Sequence, residues 1–219
     1  MENPAYEQSP CIDLQSVEAS LREVQLKFPM INRALGFTRE WMEDEVVDNL
    51  MSGYALVSQL LEANVELFAL GNSAHLLELN TRVLCGTSEQ KRREYGKHIL
   101  ATNRYFYDRT DGGIHDLMEW HALHRHETVW QRAAGIFMRI VSEPQVFIEG
   151  NDRTATLVMS YILAKERLPP FVLGMSNAKP YFEISALIKN TPRNSLGSLF
   201  LLPRLKSRMV GLLKDQASQ

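Results

Sequence analysis

The sequence of 219 residues predicts an all-α fold with a single short β-hairpin. Apolar residues recur at three- and four-residue steps through most of the chain, which is the period of an amphipathic helix. Glycine or proline stands at the ends of these stretches, where helices commonly stop. One segment, 97–107, is instead rich in β-branched and aromatic residues around Asn103, and we expect it to be the hairpin.

The N-terminal part of the chain contains two amphipathic stretches. The first spans residues 14–28, and we expect Pro29 to end it because proline has no amide hydrogen to donate inside a helix. The second opens with a cluster of acidic residues after Thr38, which suits the positive end of a helix dipole, and it continues to Gly71.

We expect the chain to divide into two regions at residue 72. We expect residues 73–219 to form the core with its C-terminal helices, and residues 1–72 to form N-terminal helices that pack on this core. The stretches of the core that have a helical period lie at about 74–84, 114–124, 128–141, 153–167, 178–189 and 196–213.

Composition and charge exclude several classes of function. The formal net charge is −2, whereas nucleic-acid-binding proteins usually have a strong basic excess. No apolar run approaches the roughly 20 residues that cross a bilayer, and the N-terminus lacks the pattern of a signal peptide. Cys11 and Cys85 are too few for a disulfide framework or a zinc site. We therefore expect a cytoplasmic protein with no nucleic-acid or membrane partner.

The segment 145–153 lies between two strong helical stretches and opens the second. The first amide groups of a helix have no partner inside it, and together with the helix dipole they attract anions. Gly150 allows the backbone to approach a phosphate closely, and Arg153 adds a charged, forked donor. Glu149 supplies the oxygen ligand that Mg²⁺ prefers. The residues predict a phosphate-and-metal loop; the alternative is an ordinary helix start capped by Asn151.

This segment resembles the signature of the Fic family, His-x-Phe-x-(Asp/Glu)-Gly-Asn-Gly-Arg-x-x-Arg. The resemblance implies a Fic-like helical bundle that transfers AMP from ATP, bound with Mg²⁺, to hydroxyl groups of target proteins. It also implies that the hairpin at 97–107 is the flap on which a partner protein docks. The positions that match in register are Phe147, Glu149, Gly150, Asn151 and Arg153.

Three positions depart from the signature, and each departure affects the chemistry that the resemblance implies. Gln145 stands where the family has its catalytic histidine, and an amide cannot act as a general base. Asp152 replaces the second glycine and places a carboxylate near the phosphates, where repulsion between unit charges about 4 Å apart is roughly 1–4 kcal/mol. Thr156 replaces the final arginine, which contacts the γ-phosphate in the family. Glu149 for the metal and Arg153 for the β-phosphate are retained.

The resemblance and its departures together predict a Fic-like pseudoenzyme. We expect it to be silent or impaired for protein adenylylation and to retain binding of a phosphate-bearing ligand, with ATP and Mg²⁺ as the ligands that the family implies. Two alternatives stay open: an active transferase of AMP or another phosphate-bearing group that uses altered chemistry, and a protein-interaction scaffold. The expected phosphate-binding positions are Gly150, Asn151, Asp152, Arg153 and Thr156.

Ser58 and Glu62 resemble a further element of the family, an inhibitory helix with the pattern (Ser/Thr)-x-x-x-Glu. The glutamate of that helix pairs with the final arginine of the signature. Since Thr156 stands at that position, the ion pair cannot form here. Two interpretations stay open, a relic of the inhibitory helix and a coincidence of common residues.

Overall fold

A computed structural model describes residues 12–218, and this part of the chain contains ten α-helices and no β-strand. The predicted all-α class is therefore confirmed. The predicted division of the chain at residue 72 is not tested, and residues 1–11 of its N-terminal region lie outside the described part. In chain order the helices are α1 (Leu14–Ala34), α2 (Asp44–Glu62), α3 (Ser73–Cys85), α4 (Glu89–Glu94), α5 (Gly96–Asp108), α6 (Ile114–Leu123), α7 (Val129–Val141), α8 (Asn151–Lys165), α9 (Ala178–Lys189) and α10 (Ser198–Ala217).

Helix α8 is the centre of the fold. Every residue from Thr154 to Ala164 is buried, because α2, α3 and α7 all pack against this helix. A helix that is covered on all sides needs small or apolar residues on every face, and the sequence of α8 supplies them. The Oγ of Ser160 lies within hydrogen-bonding distance of the carbonyls of Thr156 and Phe171, so the hydroxyl of this buried residue has an acceptor. The N-terminus of α8 is consequently held from several directions.

The expected end of the first helix at Pro29 is wrong, because α1 continues through this residue to Ala34. Ile31 and Leu35 are buried beyond the proline, and their burial outweighs the loss of one backbone hydrogen bond. The second helix is shorter than expected and ends at Glu62 instead of reaching Gly71.

The predicted hairpin at 97–107 is also wrong, because these residues lie within helix α5. Thr102 and Phe106 are the buried residues of this helix, four positions apart, which is the spacing of one helix face. The ring of Phe106 stacks on that of Phe147 with the centroids 5.3 Å apart. Propensity for strands depends strongly on context, and here tertiary packing of one helical face overrides the aromatic composition.

The outer helices complete the bundle. Helices α1 and α9 pack on each other, α10 packs on α7 and α9, and α6 packs on α7. Within residues 12–218, no helix combines the length and the apolar character needed to cross a membrane. The loop between α7 and α8 is thus presented at one end of a helical bundle, with α5 lying over it.

Candidate functional site

The loop between α7 and α8 is organised by Asn151, the first residue of α8. Its Oδ1 accepts a hydrogen bond from the Phe147 N–H at 2.9 Å, and its Nδ2 donates to the Phe147 carbonyl at 2.8 Å. Both residues are buried. One side chain therefore satisfies both polar groups of a buried residue in the loop, which fixes the loop against the helix start.

Gly150 makes the sharp turn from the loop into α8. Its φ of 76° and ψ of 10° lie in the left-handed region, which glycine adopts without steric cost. A Cβ here would lie 3.1 Å from Asn80 Nδ2, whose amide donates to the Glu149 carbonyl at 2.8 Å. The turn is thus held from α3 as well as from α8.

The turn leaves backbone donors at the start of α8 without acceptors. Within the described part of the chain, the N–H groups of Asn151, Asp152 and Arg153 have no hydrogen-bond partner, and the first bond of the helix runs from Thr154 N to Gly150 O. A left-handed residue followed by helical residues directs successive N–H groups into one concavity, which favours anions.

Gln145 has a structural role in this loop. Its Nε2 donates to the Val141 carbonyl at 3.0 Å, and its Oε1 accepts from Asn151 Nδ2 at 3.1 Å. Its backbone carbonyl accepts from the Tyr105 hydroxyl of α5. The side chain of Gln145 thus joins the C-terminus of α7 to the N-terminus of α8.

Asp152 is engaged with the protein itself. Its Oδ2 lies 3.1 Å from Arg39 Nη2, and its Oδ1 accepts a hydrogen bond from the Ser185 hydroxyl at 2.6 Å. The guanidinium of Arg39 also lies over the ring of Phe182, 4.5 Å from its centroid. The carboxylate is therefore largely compensated by an arginine, which weakens the repulsion of phosphate that the sequence alone predicts.

Arg153 points toward the end of α3. Its Nη1 donates to the Val83 carbonyl at 2.7 Å. Burial lowers the pKa of its guanidinium, and the nearby carboxylates of Glu149, Asp152 and Glu40 oppose this shift. The guanidinium stays charged at any physiological pH, and its Nη1 contact to α3 leaves further N–H donors of the fork for a ligand.

Thr156 does not reach the surface of the site. Its hydroxyl donates to the Asp152 carbonyl at 3.0 Å and contacts the hydroxyl of Tyr181 at 2.8 Å. Burial raises the pKa of the Tyr181 phenol. Among the predicted phosphate-binding residues, Thr156 is therefore placed in the core behind the loop, whereas Gly150, Asn151, Asp152 and Arg153 are brought together at the helix start.

Glu149 presents a mostly exposed carboxylate beside the turn. Its side chain is 60% exposed, and its Oε2 lies 3.9 Å from His98 Nε2. In residues 12–218 there is no group of three His, Cys, Asp or Glu side chains that could hold a metal ion. Mg²⁺ commonly binds through one or two carboxylates together with the phosphates of a ligand, and Glu149 fits that use.

Helix α5 contributes residues that the sequence did not predict for the site. His98, Thr102 and Phe106 follow one another at four-residue steps on α5. His98 lies near Glu149 of the loop, and Phe106 stacks on Phe147. The Nε2 of His98 and the Oγ1 of Thr102 are buried and have no hydrogen-bond partner among the described residues. The four-residue spacing was the signal for this face, but the aromatic composition of the segment concealed it.

Ser58 and Glu62 lie away from the loop. They contact each other, with the serine hydroxyl donating to Glu62 Oε1 at 3.0 Å. Helix α2 runs parallel to α8, since Gly53 lies against Leu157 and Glu62 is followed by a turn that meets the C-terminal half of α8. The structure does not bring this pair together with the loop, and both interpretations of the pair, a relic and a coincidence, stay untested.

No family model, no curated protein and no solved structure matches this chain. The resemblance to the Fic signature therefore depends on the residues of the loop.

The charges near the start of α8 nearly balance. Three carboxylates, those of Glu40, Glu149 and Asp152, lie near two guanidinium groups, those of Arg39 and Arg153, which leaves one net negative charge. A polyphosphate would be repelled by this balance unless it brought a cation. The arrangement combines an anion-binding turn with an acidic rim.

Proposed function

We propose that this protein binds a phosphate-bearing ligand at the start of α8 and is silent or strongly impaired as a transferase. The observation that carries the proposal is the left-handed turn at Gly150 followed by three N–H groups without an acceptor among the described residues. Backbone donors of this kind bind phosphate without needing a charged side chain. Arg153, two positions into the helix, adds charge at the edge of the same turn.

The ligand that the resemblance favours is ATP with Mg²⁺. Glu149 is the residue that would hold the metal, because its carboxylate is exposed beside the turn. The metal would supply positive charge between the phosphates and the acidic rim. Asn151 and Asn80 would keep the turn in shape, since both fasten it from buried positions.

The impaired transfer follows from Gln145. Its amide does not titrate, and both of its polar atoms are already occupied by Val141 and Asn151. Loss of a general base typically lowers a rate by about 10²–10⁴-fold. Helix α5, which occupies the place of the predicted flap, also lacks the free strand edge on which an extended target segment would pair.

One observation favours the alternative of an active transferase. His98 Nε2 is buried, lies 3.9 Å from Glu149 Oε2 and has no other partner in the described chain. An imidazole beside a carboxylate is a common general base. An active transferase would attach labelled AMP to protein, which the main proposal does not expect.

Calorimetric titration with Mg-ATP tests the binding proposal. We expect saturable binding that requires Mg²⁺ and that Glu149→Gln weakens by about tenfold. Glu23→Gln is the matched control, because Glu23 is an exposed carboxylate on α1. Absence of heat at millimolar Mg-ATP would overturn the proposal and favour the interaction scaffold.

Incubation with α-labelled ATP and candidate proteins tests the impaired transfer. We expect no labelled protein, including self-labelled chain, and we expect Gln145→His alone to leave the result unchanged. Label that disappears in His98→Gln would replace the main proposal with the transferase. Strong labelling by Gln145→His would show that Asp152 and Thr156 do not limit the reaction.

A further inference from the structure

A cavity lies between α6, α7 and α10. Its volume is about 560 Å³, within the range of small-molecule sites. The residues that line it are not those of the loop at Gly150. Representative residues from the three helices are Trp120, Gly135, Met138, Arg139, Lys206 and Val210.

One wall of this cavity is aromatic. The Trp120 ring contacts Gly135, where any Cβ would overlap it, so the glycine leaves room for the ring against α7. His124 stacks on Trp120 with the ring centroids 4.0 Å apart. Met138 and Val210 add apolar surface to the cavity lining. A flat apolar group would find complementary surface here.

The lining also contains three cationic side chains. Lys206 Nζ lies 2.6 Å from Glu127 Oε2, and Arg193 Nη1 lies 2.8 Å from Asp116 Oδ2. Arg139 shares the same aspartate. Asp111 also lies close enough to Arg193 to act on its charge. Among the charged residues that line the cavity itself, three are cationic, Arg139, Arg193 and Lys206, and one, Glu127, is acidic.

One of these cations is largely buried, and one donor atom of a second is buried. The Arg193 side chain is only 7% exposed, and burial lowers the pKa of its guanidinium. The Nε–H of Arg139 is buried and has no acceptor in the part of the chain that the structure describes. A buried donor without a partner is uncommon in proteins, and charges interact more strongly where water is excluded.

We propose that this cavity binds a small aromatic anion, whose ring lies along Trp120 and whose anionic group meets Arg139 and Lys206. The excess of cationic side chains in the lining favours an anionic group on the ligand. The apolar wall favours an aromatic body over a bare ion.

Fluorescence titration with anilinonaphthalene sulfonate, an aromatic monoanion, tests the site. We expect one saturable site on the folded protein. N-phenylnaphthylamine has the same rings without the sulfonate, and we expect it to bind at least about tenfold more weakly. Equal affinity for the two probes, or no saturable binding, would contradict the proposal.

Two charge variants with opposite expected effects keep the test independent of folding defects. Lys206→Met removes the positive charge and should weaken sulfonate binding about tenfold, whereas Glu127→Gln adds one net positive charge and should strengthen it. Lys214→Met is the control, because this residue is exposed on α10 and does not line the cavity. Changes of the same sign in the first two variants, or an equal loss in the control, would overturn the assignment.

Discussion

Arg39 Nη2 lies 3.1 Å from Asp152 Oδ2, so the connection between α1 and α2 is joined to the first turn of α8 by an ion pair. The side chain of Asn32 holds Arg39 in place, because its amide accepts from the Arg39 N–H at 2.9 Å and donates to the Arg39 carbonyl at 3.1 Å. Asp152 is therefore a structural residue as well as a neighbour of the anion-binding turn.

Asp152→Asn should separate these two roles. We expect the free energy of unfolding to fall by about 1–2 kcal/mol, since Arg39 loses its charged partner. We also expect Mg-ATP to bind several-fold more tightly, because one negative charge leaves the acidic rim. Urea unfolding and calorimetry measure the two effects. Asp215→Asn, on the exposed side of α10, is the control and should change neither quantity. An unchanged affinity for Mg-ATP in Asp152→Asn would show that the charge of the acidic rim does not affect binding.

Asn151→Ala should destabilise the fold strongly. The substitution leaves the buried N–H and carbonyl of Phe147 without partners and removes the contact to Gln145. The expected loss is about 2–4 kcal/mol, measured by urea unfolding. Asn190→Ala, at the exposed end of α9, is expected to stay within about 0.5 kcal/mol of the wild type. A loss of similar size in both variants would mean that the two hydrogen bonds between Asn151 and the Phe147 backbone contribute little to the free energy of unfolding.

Two buried threonines should respond oppositely to replacement by valine. Thr102 is 3% exposed and its hydroxyl has no partner among the described residues, so Thr102→Val should raise the free energy of unfolding by about 1 kcal/mol. The Thr156 hydroxyl has two partners, so Thr156→Val should lower it by about 1–2 kcal/mol. Thermal unfolding of the two variants measures whether each substitution raises or lowers the free energy of unfolding. Destabilisation by Thr102→Val would show that its hydroxyl is satisfied in solution.

His121 should make stability depend on pH below neutrality. Burial, and then the charges of Arg132 and Arg125, lower the pKa of its ring from 6.5 to about 4, while the ring stacks on Phe68. Between these two pH values the unfolded chain binds more protons than the folded one, so stability falls as the pH falls. His121→Phe keeps the stack and should lose less stability than the wild type between pH 7 and pH 4, by about 1–3 kcal/mol.

Nuclear magnetic resonance of the His121 ring provides the direct check. A titration midpoint near pH 4 in the folded protein is expected. A midpoint near the ordinary value of 6.5 would contradict the predicted pH dependence of unfolding.

Much of the helical framework was predictable from the sequence. The stretches at 128–141 and 178–189 agree with α7 and α9 because their apolar residues follow one clear helical period. The segment 97–107 was predicted incorrectly, because a short aromatic run suits either a strand or a helix until its neighbours are known. Phe147, about 40 residues later in the chain, is the neighbour that decided it.

The loop shows where the sequence alone is sufficient and where it is not. The sequence determined the residues themselves: a glycine at the turn, a helix start after it, and at position 145 a glutamine, which cannot act as a general base. Only the tertiary structure decided where the side chains point. Asp152 meets Arg39 across 113 positions of the chain, and Arg153 meets Val83 across 70. Partners so distant are brought together by packing of the helices, which no local pattern of residues records.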